Sequence, residues 1–188
     1  MSGFWRILPC GPIRTLLPVA AVILLASVAW CAPGDVPEQG SEFEAPSQQA
    51  PALLYFADAG GSFLKPEPFI LPPHSSPLIA GRAIVEALVK GPSHPSLSPT
   101  LPAGVAVNGF YIAPGKMAVV DIDSAAVDRH PGGIMTETLS VFSIVNTLIL
   151  NIADIERVKV LINGQEAKTL AGHIDLESPL TANILLIR

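Results

Sequence analysis

The order of apolar periodicities over residues 52–188 predicts a mixed α/β domain of the α+β kind, with two helices packed on one face of a mixed sheet. Short runs of β-branched and aromatic residues, each closed by Gly, Pro or Asn, alternate with two longer runs in which apolar residues recur every three or four positions. The chain has 188 residues, enough for one ordinary core and a targeting segment. Its two cysteines, Cys10 and Cys31, both lie near the N-terminus, so no disulfide framework can staple the folded part.

The first strand is Leu53-Leu54-Tyr55-Phe56-Ala57, ending at the turn signal Asp58-Ala59-Gly60-Gly61. A Pro-rich connection follows (Lys65-Pro66-Glu67-Pro68, then Leu71-Pro72-Pro73). Ser76 before Pro77 then reads as an N-cap with proline at the first helical position. Ala80, Ala83, Ile84, Ala87 and Leu88 write one face of this helix, Glu86 stands four residues before Lys90, and Gly91-Pro92 ends it. Val105 to Ile112 and Met117 to Ile122 form a hairpin across Ala113-Pro114-Gly115-Lys116. A second helix spans about Gly133 to Asn151, with Val141, Phe142, Val145, Leu148, Ile149 and Ile152 turned inward. Val158 to Ile162 is a strand closed by Asn163-Gly164, a strong hairpin signal, and a shorter strand runs from Glu166 to Leu170. The expected order is β-α-β-β-α-β-β.

Ahead of this domain, Thr15 to Trp30 holds no charged residue, Arg6 and Arg14 precede it, and the first acidic residue is Asp35. That is the pattern of an export signal or membrane anchor over residues 1–31, its basic end retained in the cytoplasm. Sixteen residues as a helix reach about 24 Å, short against a hydrocarbon core of roughly 30 Å, which favours a cleaved signal over a full span. Cys31 is positioned as the lipidated cysteine of a bacterial lipoprotein, although Trp30 stands where a small residue is usual. Cleavage after Ser27-Val28-Ala29 or an uncleaved anchor are the other outcomes. Residues 32–51 are rich in Pro, Gln, Glu, Gly and Ser and read as a flexible linker.

A set of strings in fixed order resembles the GerM-type sporulation and germination (GerMN) domain family. They are Leu54-Tyr55-Phe56, Leu88-Val89-Lys90-Gly91-Pro92, Leu101-Pro102-Ala103-Gly104-Val105, Val119-Val120-Asp121-Ile122, Ile144-Val145-Asn146-Thr147-Leu148 and Val158-Lys159-Val160-Leu161-Ile162-Asn163-Gly164. The resemblance covers essentially residues 52–180. It implies a compact domain similar to the ring-building motifs of secretion and sporulation machines, a binding or assembly role, and no shared catalytic motif. This chain holds one copy, where the sporulation protein of the family resembles a tandem pair.

The net charge of −5 and the absence of a basic run in the folded part argue against nucleic acid as a partner. Ser62-Phe63-Leu64-Lys65 fits the Ser-x-x-Lys string of penicillin-binding proteins, but Pro66 and Pro68 oppose the helix that pairing needs and the companion strings are missing. His74, His94, His130 and His173 lack the i, i+4 pairing of helical zinc sites and read as loop residues. Asp121 and Asp123, with Gly172-His173-Ile174-Asp175, gather as ligands only if the fold joins them. Asn146 and Thr147 inside an apolar helix read as bonding a neighbouring backbone. Gly60-Gly61, Gly132-Gly133 and Asn163-Gly164 are turns and caps, with no phosphate-loop spacing. No catalytic residue, metal ligand or cofactor site is assigned. The expectation is an extracytoplasmic, membrane-associated module of the cell envelope, in the periplasm or at the cell surface, acting through contact with envelope proteins or with itself. A secreted hydrolase or ligand-binding protein with a cryptic site is the alternative.

Overall fold

The computed structural model describes residues 51–188. The expected targeting segment with Cys31, and all but the last residue of the expected linker, lie outside the described residues.

β1 (Ala52–Asp58) is the centre of a three-stranded antiparallel sheet. β2 (Leu64–Phe69) pairs along its whole length, from Ala52 opposite Phe69 to Ala57 opposite Leu64, and the two-residue β3 (Leu97–Ser98) joins its far end. β2 corrects the expectation of a Pro-rich connection here. Pro66 and Pro68 lie two residues apart, opposite Tyr55 and Leu53. The N–H groups of Tyr55 and Leu53 point away from β2, to Thr147 Oγ1 (3.1 Å) and Asn151 Oδ1 (2.8 Å). Both prolines therefore occupy positions where no ladder bond is made, and their missing donors fall on the outer edge of the sheet.

α1 (Pro77–Lys90) begins and ends where its caps predict. The Ser76 side chain accepts the Ile79 N–H, Pro77 opens the first turn, and Gly91 leaves the helix at φ +88°. Its buried face is Ala80, Gly81, Ile84, Val85 and Leu88, rotated slightly from the expected stripe, so that Ala83 and Ala87 are only half-buried. Gly81 explains the rotation, because its missing side chain is the space occupied by the Phe110 ring. Glu86 pairs with Arg82 (2.8 Å), one turn back, rather than with Lys90.

The second sheet has the order β4-β5-β6-β7. β4 (Val107–Ala113) and β5 (Met117–Ile122) form the expected hairpin, with a bulge between Val107 and Gly109. A one-turn helix α2 (Ala125–Asp128) and the long α3 (Ile134–Asn151) then lead to β6 (Arg157–Ile162), which runs parallel to β5. Asn163 and Gly164, at φ +51° and +74°, make the tight turn into β7. β7 covers only Gln165–Glu166, shorter than the strand expected to Leu170, and the rest of the chain has no further strand until a short 3-10 turn at Ile184–Leu186. Instead of one mixed sheet carrying both helices, the α+β domain has two sheets and three helices.

The main core joins Leu54 and Phe56, Ile84, Val85 and Leu88 of α1, Val120 and Ile122, Val158 and Val160, and Ile144, Val145 and Leu148 of α3. Tyr55 and Ala57, on the opposite face of β1, form a smaller cluster with Leu64 and Leu139. Phe142, expected on the inward face, packs against both clusters and lies half-buried at the seam between them.

Two stability outcomes follow from this packing. Alanine is normally about 1 kcal/mol better than glycine inside a helix, yet Gly81→Ala is expected to destabilise by about 1–3 kcal/mol because its Cβ collides with the Phe110 ring. A urea denaturation midpoint should fall for Gly81→Ala and recover in part in Gly81→Ala/Phe110→Leu. Ile144→Ala, truncating a side chain that is 1% exposed, is expected to cost about 2–5 kcal/mol in the same assay, and Phe142→Ala less than Ile144→Ala.

Candidate functional site: the polar face of α3

α3 carries an apolar stripe, but Glu137, Ser140, Ser143, Asn146, Thr147 and Asn151 also point into the protein. All of them except Ser143, which donates to the Ser140 carbonyl of its own helix, take the main chain of another segment as partner. Asn151 receives the Leu53 N–H (2.8 Å) and donates to the Leu53 carbonyl (2.9 Å), while Thr147 Oγ1 receives the Tyr55 N–H. Four helical residues rise about 6.0 Å and two strand residues about 6.6 Å. The i, i+4 pair 147/151 thus matches the i, i+2 pair 55/53, and the helix completes the edge of β1 as a strand would. One position before Thr147, Asn146 exchanges two bonds with the backbone of Asn183, at 2.8 and 2.9 Å. The expectation that Asn146 and Thr147 bond neighbouring backbone is met.

Glu137, in the first turn of α3, is fully buried. Its carboxylate receives the N–H groups of Leu170 (3.0 Å), Ala171 (2.7 Å) and His173 (2.8 Å), and lies 2.9 Å from the His173 ring Nδ1. Burial by itself would raise its pKa. The donors from Ala171, the His173 ring, Ile174 and the His173 backbone together outweigh burial and hold the carboxyl below its ordinary value of 4.5. The same carboxylate holds the N–H groups of Leu170, where the expected last strand would have ended, and of Ala171, while β7 itself ends at Glu166.

Ser140 and His130 come together in the manner of a nucleophile and its base, with Nε2 3.0 Å from Oγ. The proton lies on the wrong nitrogen for that chemistry. Nδ1 accepts the Gly132 N–H (3.0 Å), so Nε2 carries the hydrogen and donates to Ser140, whose own hydroxyl is directed at the carbonyls of Thr100 and Thr136. Ser140 is 1% exposed, and Glu137 bonds His173 rather than His130. Burial depresses the His130 pKa below 6.5, with Glu137 opposing, which keeps the ring neutral. The constellation is a structural tie between α3 and the loop at Thr100.

The other sequence candidates are dispersed. Ser62 lies in the β1–β2 turn, where the Asp58 carboxylate accepts the Ser62 and Phe63 N–H groups, and Lys65 is an exposed residue of β2. His74 and His94 are exposed in loops. Asp121 caps the Asn163-Gly164 turn by accepting the Gly164 N–H (2.8 Å), and Asp123 accepts from Ala106 (3.0 Å). Neither joins Asp175, which instead accepts the Glu177 N–H. Among the described residues, no group of three or more His, Cys, Asp or Glu could hold a metal ion. Lys159, 7% exposed on the second sheet, donates to the Glu177 carbonyl (2.6 Å) and pairs with Glu166 (3.1 Å), securing the C-terminal segment from the other side. Sequence reasoning missed Glu137, Ser140 and Asn151. Glu137 looks like an ordinary acidic residue in a first helical turn, and nothing local marks it as buried.

Residues 53–168 match the Germane family, described as sporulation and spore germination, and the chain belongs to that family. Its fold is similar to the first GerMN domain of the sporulation protein GerM from Bacillus subtilis, at 24% identity and a TM-score of 0.57, over 71% of this chain and 98% of that one. The tandem GerMN domains of the same protein match at the same identity and TM-score, and there the chain spans 46% of the relative's length. A candidate lipoprotein from Clostridium perfringens matches at 23% identity and a TM-score of 0.53, over 63% of this chain and 75% of that one. No curated protein matches.

His130 and Glu137 give the domain a pH dependence of defined sign. Both have folded-state pKa values below their ordinary 6.5 and 4.5, so protonation favours the unfolded chain. Stability is expected to be full above about pH 7, to fall as the pH drops below the ordinary histidine value, and to fall again below the ordinary glutamate value. Urea midpoints measured from pH 8 to pH 4 check this, and His130→Gln should flatten the upper limb only.

Proposed function

We propose that this Germane-family chain is a module of the bacterial cell envelope, exported and held at a membrane by its N-terminus, and that it works through protein–protein contacts. The observation that carries this reading is the N-terminal sequence: Arg6 and Arg14, then a charge-free run from Thr15 to Trp30, then some twenty Pro-, Gln- and Glu-rich residues before β1. A flexible segment of that length reaches roughly 25 Å, so the domain can search for a partner close to the membrane surface. Confinement raises the partner's effective concentration, and a small, individually weak interface can then be occupied. The fold is shared with a candidate lipoprotein and with domains of a sporulation protein, which agrees with an envelope module. The polar groups of α3 are directed at the protein's own backbone, a scaffold arrangement that leaves recognition to the outer surfaces.

A reporter that is active only outside the cytoplasm, fused after Arg188, is expected to be active, and activity of a cytoplasm-dependent reporter alone would sink the proposal. Cys31→Ser separates the modes of attachment. Loss of membrane retention indicates a lipid on Cys31, and unchanged retention an uncleaved helix. Affinity capture from native membranes should recover an envelope protein or a second copy of the chain. Repeated capture with nothing above background removes protein contact as the function.

A further inference from the structure

The two sheets have four outer edges, and three of them are closed. The edge of β2 has no donors at Pro66 and Pro68, and Arg188 N–H occupies the Leu64 carbonyl at its start. β3 and β7 are two residues long, and beyond β7 the side of β6 is taken by Leu180, which exchanges two backbone bonds with Val158. The edge of β4 is different. Among the described residues, no backbone group pairs with its outer side over Val107–Ala113. That strand (Val-Asn-Gly-Phe-Tyr-Ile-Ala) holds no charge and no proline, the two devices that usually protect an edge, and it exposes Tyr111 (58%) and Ile112 (37%).

We propose that this edge pairs with the same edge of a second copy, antiparallel about a two-fold axis at Phe110, joining two four-stranded sheets into one of eight. The proposal rests on the protein-contact reading and names the partner. Three features of the strand favour its own copy as occupant. An isologous pairing sets each residue against one from the same strand, and an uncharged strand meets no like charge when it does so. With the axis at Phe110, Tyr111 of one copy stands opposite Gly109 of the other, twice over. The Tyr111 ring already lies along its own strand over buried Gly109, where an added Cβ would clash with it, so each edge glycine enters the pair covered by a ring and presents no bare backbone face to the opposing Tyr111. Finally, the bulge between Val107 and Gly109 ends regular pairing on one side and the Pro114 turn on the other, which confines the register to a few residues centred on Phe110.

The test uses two differently tagged copies of the full chain, co-expressed and isolated together from detergent-solubilised native membranes. Tyr111 and its symmetry mate lie diagonally across the axis on one face, within roughly 7–8 Å. Wild type and Tyr111→Phe are expected to co-isolate equally, because the ring and not the hydroxyl covers glycine. Tyr111→Asp alone and Tyr111→Lys alone should each co-isolate about tenfold less. A Tyr111→Asp copy mixed with a Tyr111→Lys copy should recover the wild-type yield. Tyr111 is exposed, and unchanged urea midpoints for all variants exclude a folding defect as the cause. The proposal is overturned if wild-type copies do not co-isolate, if Tyr111→Asp copies co-isolate as wild type does, or if the mixed charges fail to restore pairing. Capture of a different protein that depends on Tyr111 also overturns it, while leaving the broader contact function standing. A reporter that places the domain in the cytoplasm removes the envelope reading and leaves the pairing result intact.

Discussion

The fold hangs on hydrogen bonds from polar side chains of one helix to the main chain of segments far away in sequence. Without Thr147 and Asn151, the N–H groups of Tyr55 and Leu53 would have no partner on the side of β1 away from β2. Without Glu137, the donors of Leu170, Ala171 and His173 would be unmatched, and without Asn146 the backbone of Asn183 would be adrift. A buried polar group left unpaired costs about 1–3 kcal/mol, more than the net gain from making an ordinary hydrogen bond. The helix is thus hard to replace by an apolar one of the same shape. Its apolar stripe supplies burial, and its polar side chains fix which strand and which loop may pack where.

Much of the architecture was legible from residue order because local rules and global structure agree there. Ser76-Pro77 and Gly91 bound α1, Pro114-Gly115 turns the hairpin, and Asn163-Gly164 adopts the two positive φ angles its turn needs. β2 was not legible, because proline argues against a strand unless the side carrying the ladder bonds is known, and that depends on α3 some eighty residues later. The end of β7 was hidden for a similar reason: the expected strand ran on to Leu170, and the N–H groups of Leu170 and Ala171 turn instead to the buried Glu137. Of the candidate site, Asn146 and Thr147 stood out as polar residues in an apolar run. Asn151 did not, since asparagine at a helix C-terminus is ordinary, and Ser140 did not, since the approach of His130 to it is a tertiary event.

The meeting of His130, Ser140, Glu137 and His173 shows why residue types in proximity do not make a reaction centre. Catalytic chemistry needs an acceptor nitrogen facing an accessible hydroxyl, with a carboxylate behind the same ring. Here the hydrogen-bond direction is reversed, the hydroxyl is sealed, and the carboxylate serves a different histidine. The interior reads as scaffold, and attention passes to the exterior, where the treatment of sheet edges is uneven. Prolines, short strands and the C-terminal segment each close an edge, and β4 alone keeps a long uncharged one among the described residues.

The bonds from Asn151 to Leu53 and from Thr147 to Tyr55 span 98 and 92 positions of chain. A polypeptide that emerges N-terminus first, from a ribosome or through a membrane pore, presents β1 long before the side chains that complete it. Until then the hairpin of β1 and β2 is a two-stranded ribbon, too small to be stable by itself. Loop closure must be achieved before these contacts repay it, so folding waits on the arrival of α3 and the segments after it. During that interval Pro66 and Pro68 already deny the outer side of the ribbon to a neighbouring chain. The same two residues that disguise a strand in the sequence act as its chaperone while the molecule is still incomplete.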